Sequence, residues 1–237
     1  MKTVPTAING YSEVRLMFKY SFPVNCLCAD SYGFSGLEVT DSALGMPIWK
    51  LGAAELEALR VQLIKSMKRI VLYTVFEIPS DSELPVLFRN AHMLGIENLR
   101  VPMEMLENEA VREMAEVMGI MLVIDYFVGC EDRYIPVRGE LTGLVFDPAD
   151  LVKTTQSLPY RTILGRNKIK DDIRFIIAND GLKDGTPALP GYGHAETKEC
   201  ISHLLARSFD GYLSVSAYGD FTLDEVKDKL TKLLCEM

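Results

Sequence analysis

Short apolar runs rich in β-branched residues recur along the chain, at Val14–Phe18, Gly36–Thr40, Ile70–Phe76, Asn98–Val101, Met121–Phe127, Leu144–Phe146, Ile173–Ala178 and Tyr212–Val215. Most are nearly continuous in apolar character rather than alternating, which predicts parallel strands covered on both faces. Between them lie segments of helical period. Leu56, Leu59, Leu63, Ile64 and Met67 fall on one face after Gly52. Leu84, Leu87, Phe88, Ala91 and Leu94 form a second stripe, with Ser82 as the expected cap and Gly95 as the stop. Leu106, Ala110, Val111, Met114, Ala115 and Met118 predict a third helix, ended by Gly119. A short helix is expected between Pro159 and Gly165, and another near Ile201–Leu205. Thr222 and Glu225 have the spacing of a capping box before the stripe Val226, Leu230, Leu233 and Leu234.

Strand and helix therefore alternate throughout, with no linker or low-complexity stretch, which implies right-handed crossovers in a parallel sheet. Eight such units over residues 1–237 predict a single-domain α/β fold, a (β/α)8 TIM barrel. The rival, an open doubly wound sheet holding a nucleotide, needs a G-x-G-x-x-G or G-x-x-x-x-G-K-[ST] turn. The chain has neither, so no nucleotide cofactor is expected.

Composition changes the picture in two places. The formal net charge of −8 repels phosphate backbones and anionic lipid heads, so neither nucleic acid nor a membrane surface is an expected partner. No run reaches the roughly 18 apolar residues of a membrane span, and the first ten residues lack an apolar core of the secretory kind. The five scattered cysteines, Cys26, Cys28, Cys130, Cys200 and Cys235, read as reduced thiols, and the expected compartment is the cytoplasm.

In a barrel of this kind ligands bind where strands end. Several apolar runs here end in polar residues: Glu38 within the second, Arg100 in the fourth, Asp125 in the fifth, Asp147 after the sixth, Asn179 and Asp180 after the seventh, Ser216 after the eighth. A carboxylate at the end of an apolar strand costs several kcal/mol to desolvate without a partner or a wet cavity. A shared polar pocket explains several at once, and pairing with barrel-filling arginines is the alternative.

The run Ala91-His92-Met93-Leu94-Gly95-Ile96-Glu97-Asn98-Leu99-Arg100-Val101 resembles the helix-three-to-strand-four segment of the xylose isomerase-like sugar isomerase and epimerase barrels. Gly36-Leu37-Glu38-Val39, Val145-Phe146-Asp147-Pro148-Ala149-Asp150, Leu189-Pro190-Gly191-Tyr192-Gly193 and Phe209-Asp210-Gly211-Tyr212-Leu213-Ser214-Val215 resemble further segments of the same family, in the same order. The resemblance implies a divalent metal (Mn, Mg, Co or Zn) held by Glu, Asp, His and Glu on strands five to eight, with carboxylates moving the proton beside a polarised carbonyl. Carried onto this chain, the first position holds Asp125 and the second Asp147. The histidine position holds Ile177 and the last glutamate position Ser216, so two metal ligands of four remain, with Asn179 as a neutral oxygen donor.

Two functions follow as expectations. One is a sugar or sugar-phosphate isomerase/epimerase acting on a small polyhydroxy carbonyl substrate, with Glu38, Asp125 or Asp147 transferring protons and Arg100, Asn179, Ser216 and His194 contacting substrate. The other is a barrel without catalysis that binds a small polyol, sugar or carboxylate. His194 follows Gly191-Tyr192-Gly193 at an expected helix start, where N–H groups could receive an anion or simply form a turn. His92 and His203 lie within helical patterns, and Ser214 and Ser216 lack the G-x-S-x-G turn of a nucleophile. Dimers and tetramers are common among such barrels, so the resemblance leaves room for a homo-oligomer.

Overall fold

The computed structural model describes residues 6–8, 33, 34, 36–165 and 169–237. Eight parallel strands, β1 (Thr6–Ile8), β2 (Gly36–Thr40), β3 (Ile70–Thr74), β4 (Asn98–Arg100), β5 (Met121–Asp125), β6 (Thr142–Phe146), β7 (Ile173–Ile177) and β10 (Tyr212–Val215), are hydrogen-bonded in the closed order β1-β10-β7-β6-β5-β4-β3-β2. That is the strand order of a (β/α)8 barrel. A two-stranded antiparallel ribbon, β8 (Asp180–Gly181) with β9 (Pro187–Ala188), is inserted after β7. Every residue of β2, β3 and β6 is buried, as continuous apolar strands require.

The strand that pairs with β2 is Thr6–Ile8, in register Ala7↔Gly36 and Ile8↔Leu37. A three-residue strand is too short to show a pattern, and the sequence placed the first strand at Val14–Phe18, which lies outside the described residues. Cys26 and Cys28 also lie outside them. Cys130 and Cys200 are buried free thiols, and Cys235 is an exposed one.

The chain divides into two compact units. One comprises Ala7–Ile124 and Pro136–Gly143. Its core is built from β3 and β4, with Ile70, Val71, Tyr73 and Leu99 buried, under the helices α2 (Ala53–Ser66), α3 (Leu84–Met93) and α5 (Glu109–Met118), and the short α1 (Asp41–Leu44) follows β2. Gly52 donates its N–H to the Glu55 carboxylate at 2.7 Å, which starts α2. Helix α3 begins differently from the expected Ser82 cap: Ser80 donates both its N–H and its hydroxyl to Glu83, at 2.9 and 2.7 Å. Gly95, at φ +68°, ends it as expected. The single helix expected over Leu106–Met118 is two, α4 (Met103–Glu107) and α5, because Asn108 leaves the helical region and caps α5 by accepting from Ala110 N.

The other unit comprises Met1–Thr6, Asp125–Ile135 and Leu144–Met237. It carries β6, β7 and β10 with helices α6 (Glu131–Tyr134), α7 (Pro148–Thr155), α8 (Pro159–Gly165), α9 (Thr197–Ala206) and α10 (Leu223–Cys235). The predicted capping box is present: Thr222 Oγ1 accepts from Glu225 N, and Glu225 Oε2 accepts from Thr222 N at 2.8 Å. Register in this unit pairs Phe146 with Ile176, Leu213 with Ile176 and Ser214 with Ile177.

The start of β10 depends on a close approach at Gly211. A Cβ there would stand 2.1 Å from the backbone oxygen of Arg174. Gly211→Ala must push β10 away from β7, and should cost about 1–3 kcal/mol of stability. The check is the urea midpoint of the variant against the native chain.

Candidate functional site at the strand ends

In parallel strands, paired residues share a face, and alternate residues along one strand share a face. Ser214↔Ile177 therefore puts Ser214, Ser216, Ile177 and Phe175 on one side of the β7–β10 pair. Continuing the Val145↔Phe175 and Phe146↔Ile176 register by one residue sets Asp147 beside Ile177. The row across these three strands thus reads Asp147, Ile177, Ser214, with a buried aliphatic side chain in the middle.

Two predicted residues meet directly. Ser216 and Asn179 are both buried, and the Ser216 hydroxyl donates to Asn179 Oδ1 at 3.3 Å. The backbone oxygen of Asn179 accepts from Thr197 Oγ1 at 3.0 Å, which ties the end of β7 to α9. Asp147 is the N-cap of α7, its Oδ1 accepting from Ala149 N at 3.0 Å and Asp150 N at 3.2 Å. This commits one of its oxygens to the helix start. Asp125 closes β5 and is exposed. Glu38 and Arg100 belong to the other unit. Glu38 is buried on β2, paired with Leu72, and Arg100 ends β4, half-buried and paired with Thr74 and Val123.

His194 departs from its expected setting. Helix α9 begins at Thr197, with Glu196 as its N-cap, so His194 precedes the helix rather than opening it. The N–H groups of this loop are turned to a protein carboxylate. Asp180, 1% exposed, accepts from Gly181 N and Ala195 N through Oδ1 (2.8 and 2.9 Å) and from Gly191 N through Oδ2 (2.9 Å). His194 N is itself bonded to Gly181 O at 2.8 Å, and its exposed ring accepts from Lys183 N through Nδ1. The loop is drawn so close that a Cβ on Gly193 would meet Asp180 Oδ1 at 2.2 Å.

Sequence reasoning missed Tyr218. Its ring packs on Ala149, Val152 and Ala195, and its hydroxyl lies 3.9 Å from where a Cβ on Gly181 would stand. Burial raises its pKa, and the carboxylates of Asp147, Asp150 and Asp180 raise it further, so the phenol stays protonated. A tyrosine three residues past a strand end carries no periodic signal by which to single it out. In the other unit Asp41, just past β2, is also singled out only by structure. The buried Tyr73 hydroxyl accepts from Ile48 N at 3.1 Å and donates to Asp41. Burial and the neighbouring Glu77, opposed by Lys50, push the Asp41 carboxyl up to about 6.

The metal that the family resemblance implies does not fit these residues. Ile177 presents methyl groups where a ligand is needed, the Ser216 hydroxyl is engaged by Asn179, and Asp147 is engaged by α7. Hard divalent cations take about six oxygen ligands with substantial negative charge. Among the described residues no three His, Cys, Asp or Glu side chains are grouped to hold an ion. Nor, among them, is any helix long and apolar enough to cross a membrane.

No protein-family model and no curated protein matches the chain. Solved structures do. The IolI protein with a bound zinc atom superimposes with a TM-score of 0.73 at 14% identity, covering 98% of this chain and 97% of that one. A D-tagatose 3-epimerase-like protein gives 0.71 at 16% identity, covering 98% of both chains. A sugar phosphate isomerase/epimerase from Parabacteroides distasonis gives 0.71 at 11% identity, covering 98% and 96%. The fold is that of the xylose isomerase-like TIM barrels, as the sequence motifs implied.

The Asp180 cradle makes a direct prediction. Asp180→Ala strands three backbone N–H groups and should cost about 2–4 kcal/mol, while Asp180→Asn, which keeps an acceptor, should cost less. Urea denaturation of both variants measures the difference, and equal midpoints for Ala and native chain would contradict the cradle.

Proposed function

We propose that this chain is a sugar isomerase/epimerase-like protein that takes a small polyhydroxy carbonyl compound at the ends of β5, β6, β7 and β10. The carboxylates of Asp125 and Asp147, rather than a chelated metal, are its proton-transfer groups. The observation that carries the reading is the hydrogen-bonded Ser216–Asn179 pair past the ends of β7 and β10, within a fold shared with sugar isomerase/epimerase-like proteins. Hydroxyl and amide groups match a polyol, each able to give and receive a hydrogen bond. A carboxylate at the carbon beside a carbonyl can remove and return its proton, which is the elementary step of isomerisation and epimerisation. Glu38 and Arg100, on β2 and β4, stand outside this reading.

A second reading, binding without turnover, is favoured by one specific observation: Asp147 is held as the cap of α7 and Ile177 separates it from the serines of β10.

Exchange of the substrate's α-carbon hydrogen in D2O, followed by NMR across a panel of ketoses, aldoses and their phosphates, separates the two. Exchange catalysed by the native chain, and reduced about 10²-fold in Asp125→Asn or Asp147→Asn, supports proton transfer. Ligand-induced stabilisation without exchange selects the second reading. A melting temperature unmoved by the whole panel removes both.

A further inference from the structure

A second cleft lies in the same unit, between the loop that leaves β5 and the turn from α7 to α8. Val128 lines it from the loop, and Thr155, Ser157, Leu158, Arg161 and Thr162 line it from the turn and the two helices. Its volume is about 730 Å³, within the range of small-molecule sites. Gln156, also in the lining, fixes the turn. It is a non-glycine residue at φ +57° that ends α7, and its Nε2 donates to Lys153 O at 3.0 Å and to Lys183 O at 2.6 Å. A left-handed backbone at such a residue persists because side-chain bonds like these hold it.

The side-chain donors of this cleft are spent within the protein, with one exception. Thr155 Oγ1 donates to Leu151 O at 2.6 Å, Ser157 Oγ to Thr155 O at 3.3 Å and Thr162 Oγ1 to Leu158 O at 3.3 Å. The two bonds of the Gln156 amide use both of its hydrogens. The exception is Arg161, whose exposed guanidinium has neither a hydrogen bond nor an ion pair among the described residues. None of the lining residues is acidic. Two charged neighbours are engaged elsewhere: Glu196 Oε2 accepts from Tyr160 N at 3.1 Å, and the Lys153 stem lies 3.3 Å from where a Cβ on Gly185 would stand. Val128, 46% exposed, and the half-buried Leu158 add apolar surface to the same cleft.

We propose that this cleft binds a small organic anion, a carboxylate or a phosphate ester with an apolar body, whose charged end pairs with the Arg161 guanidinium while Val128 and Leu158 contact the rest. The planar N–H fork of a guanidinium matches two oxygens of either group, and such charge-assisted bonds are about twice as strong as neutral ones. A neutral ligand finds no other uncommitted side-chain donor among the lining residues. The chain as a whole carries a net charge of −8 and repels anions, so a cleft whose lining has one charge, and that positive, is a selective place for one. The cleft shares no lining residue with the Ser216–Asn179 pair, and the proposal does not rest on the ligand reading made for those strand ends.

The test titrates the full chain by calorimetry with benzoate, phenyl phosphate and the neutral benzamide, three probes of one ring that carry no polyol. At least one of the two anions should give a saturable isotherm and benzamide none, and the tighter anion names the group the cleft takes. Arg161→Gln should weaken that anion about tenfold, and Arg161→Lys, which keeps the charge and loses the fork, by less. Arg207→Gln removes the same charge from the exposed pair with Asp171 and should leave the affinity at the native value. Both glutamine variants change exposed side chains, and their melting temperatures should match the native chain. Benzamide binding as tightly as the anions, unchanged affinity in Arg161→Gln, an equal loss in Arg207→Gln, or no saturable isotherm with either anion each overturns the proposal. None of these results bears on the polyol reading of the strand ends.

Discussion

The register of β6, β7 and β10 governs everything proposed for this protein. It places Asp147, Ile177 and Ser214 side by side on one face, and the residue in the centre is aliphatic. An isoleucine there excludes water and offers no lone pair, so the polar groups on either side cannot share one cation. They are left to work as hydrogen-bonding groups. A one-residue slip would bring Ile176 or Ala178 to the face and carry Asn179 or Ser216 off it, which is why the close approach at Gly211 matters beyond the local geometry.

Carboxylates in this unit are handled by different means. Asp180 is deeply buried and affordable because three backbone N–H groups meet it, and in return it folds the Gly191–Ala195 loop back onto the end of β7. Asp147 is half-buried and uses the first turn of α7. Asp125 and Asp150 are exposed. Loop, helix start and strand end thus converge on Tyr218, whose ring fills the small-residue surface of Ala149, Val152 and Ala195.

Much of the architecture was legible because a buried parallel strand has to be apolar. Gly36–Thr40 and Tyr212–Val215 fall where their patterns predict, and Pro159 and Gly165 bound a short helix as expected. Where the pattern misled, local hydrogen bonding decided. Asn108 cuts one predicted helix into two, Ser80 rather than Ser82 supplies the Glu83 contacts, and the run from Met121 stops as a strand at Asp125. The site was legible in part. Asn179 and Ser216 could be marked as strand-end polar residues, and they do bond to each other. The setting of His194 could not, because it depends on Asp180 reaching N–H groups eleven and fifteen residues away, a long-range pairing that leaves no periodic trace. Tyr218 was invisible for the same reason: it is defined by what it packs against.

We infer that Ile177, standing between Asp147 and Ser214, leaves these strand ends to neutral hydrogen bonding rather than to a divalent metal. Calorimetric titration of chelator-treated protein with Mn²⁺ and Zn²⁺ addresses it most directly, with Ile177→His/Ser216→Glu as the comparison. The expected result is no saturable site in the native chain and one ion per chain in the double variant. A native chain that binds one ion stoichiometrically, and loses it in Asp147→Asn, would contradict the claim.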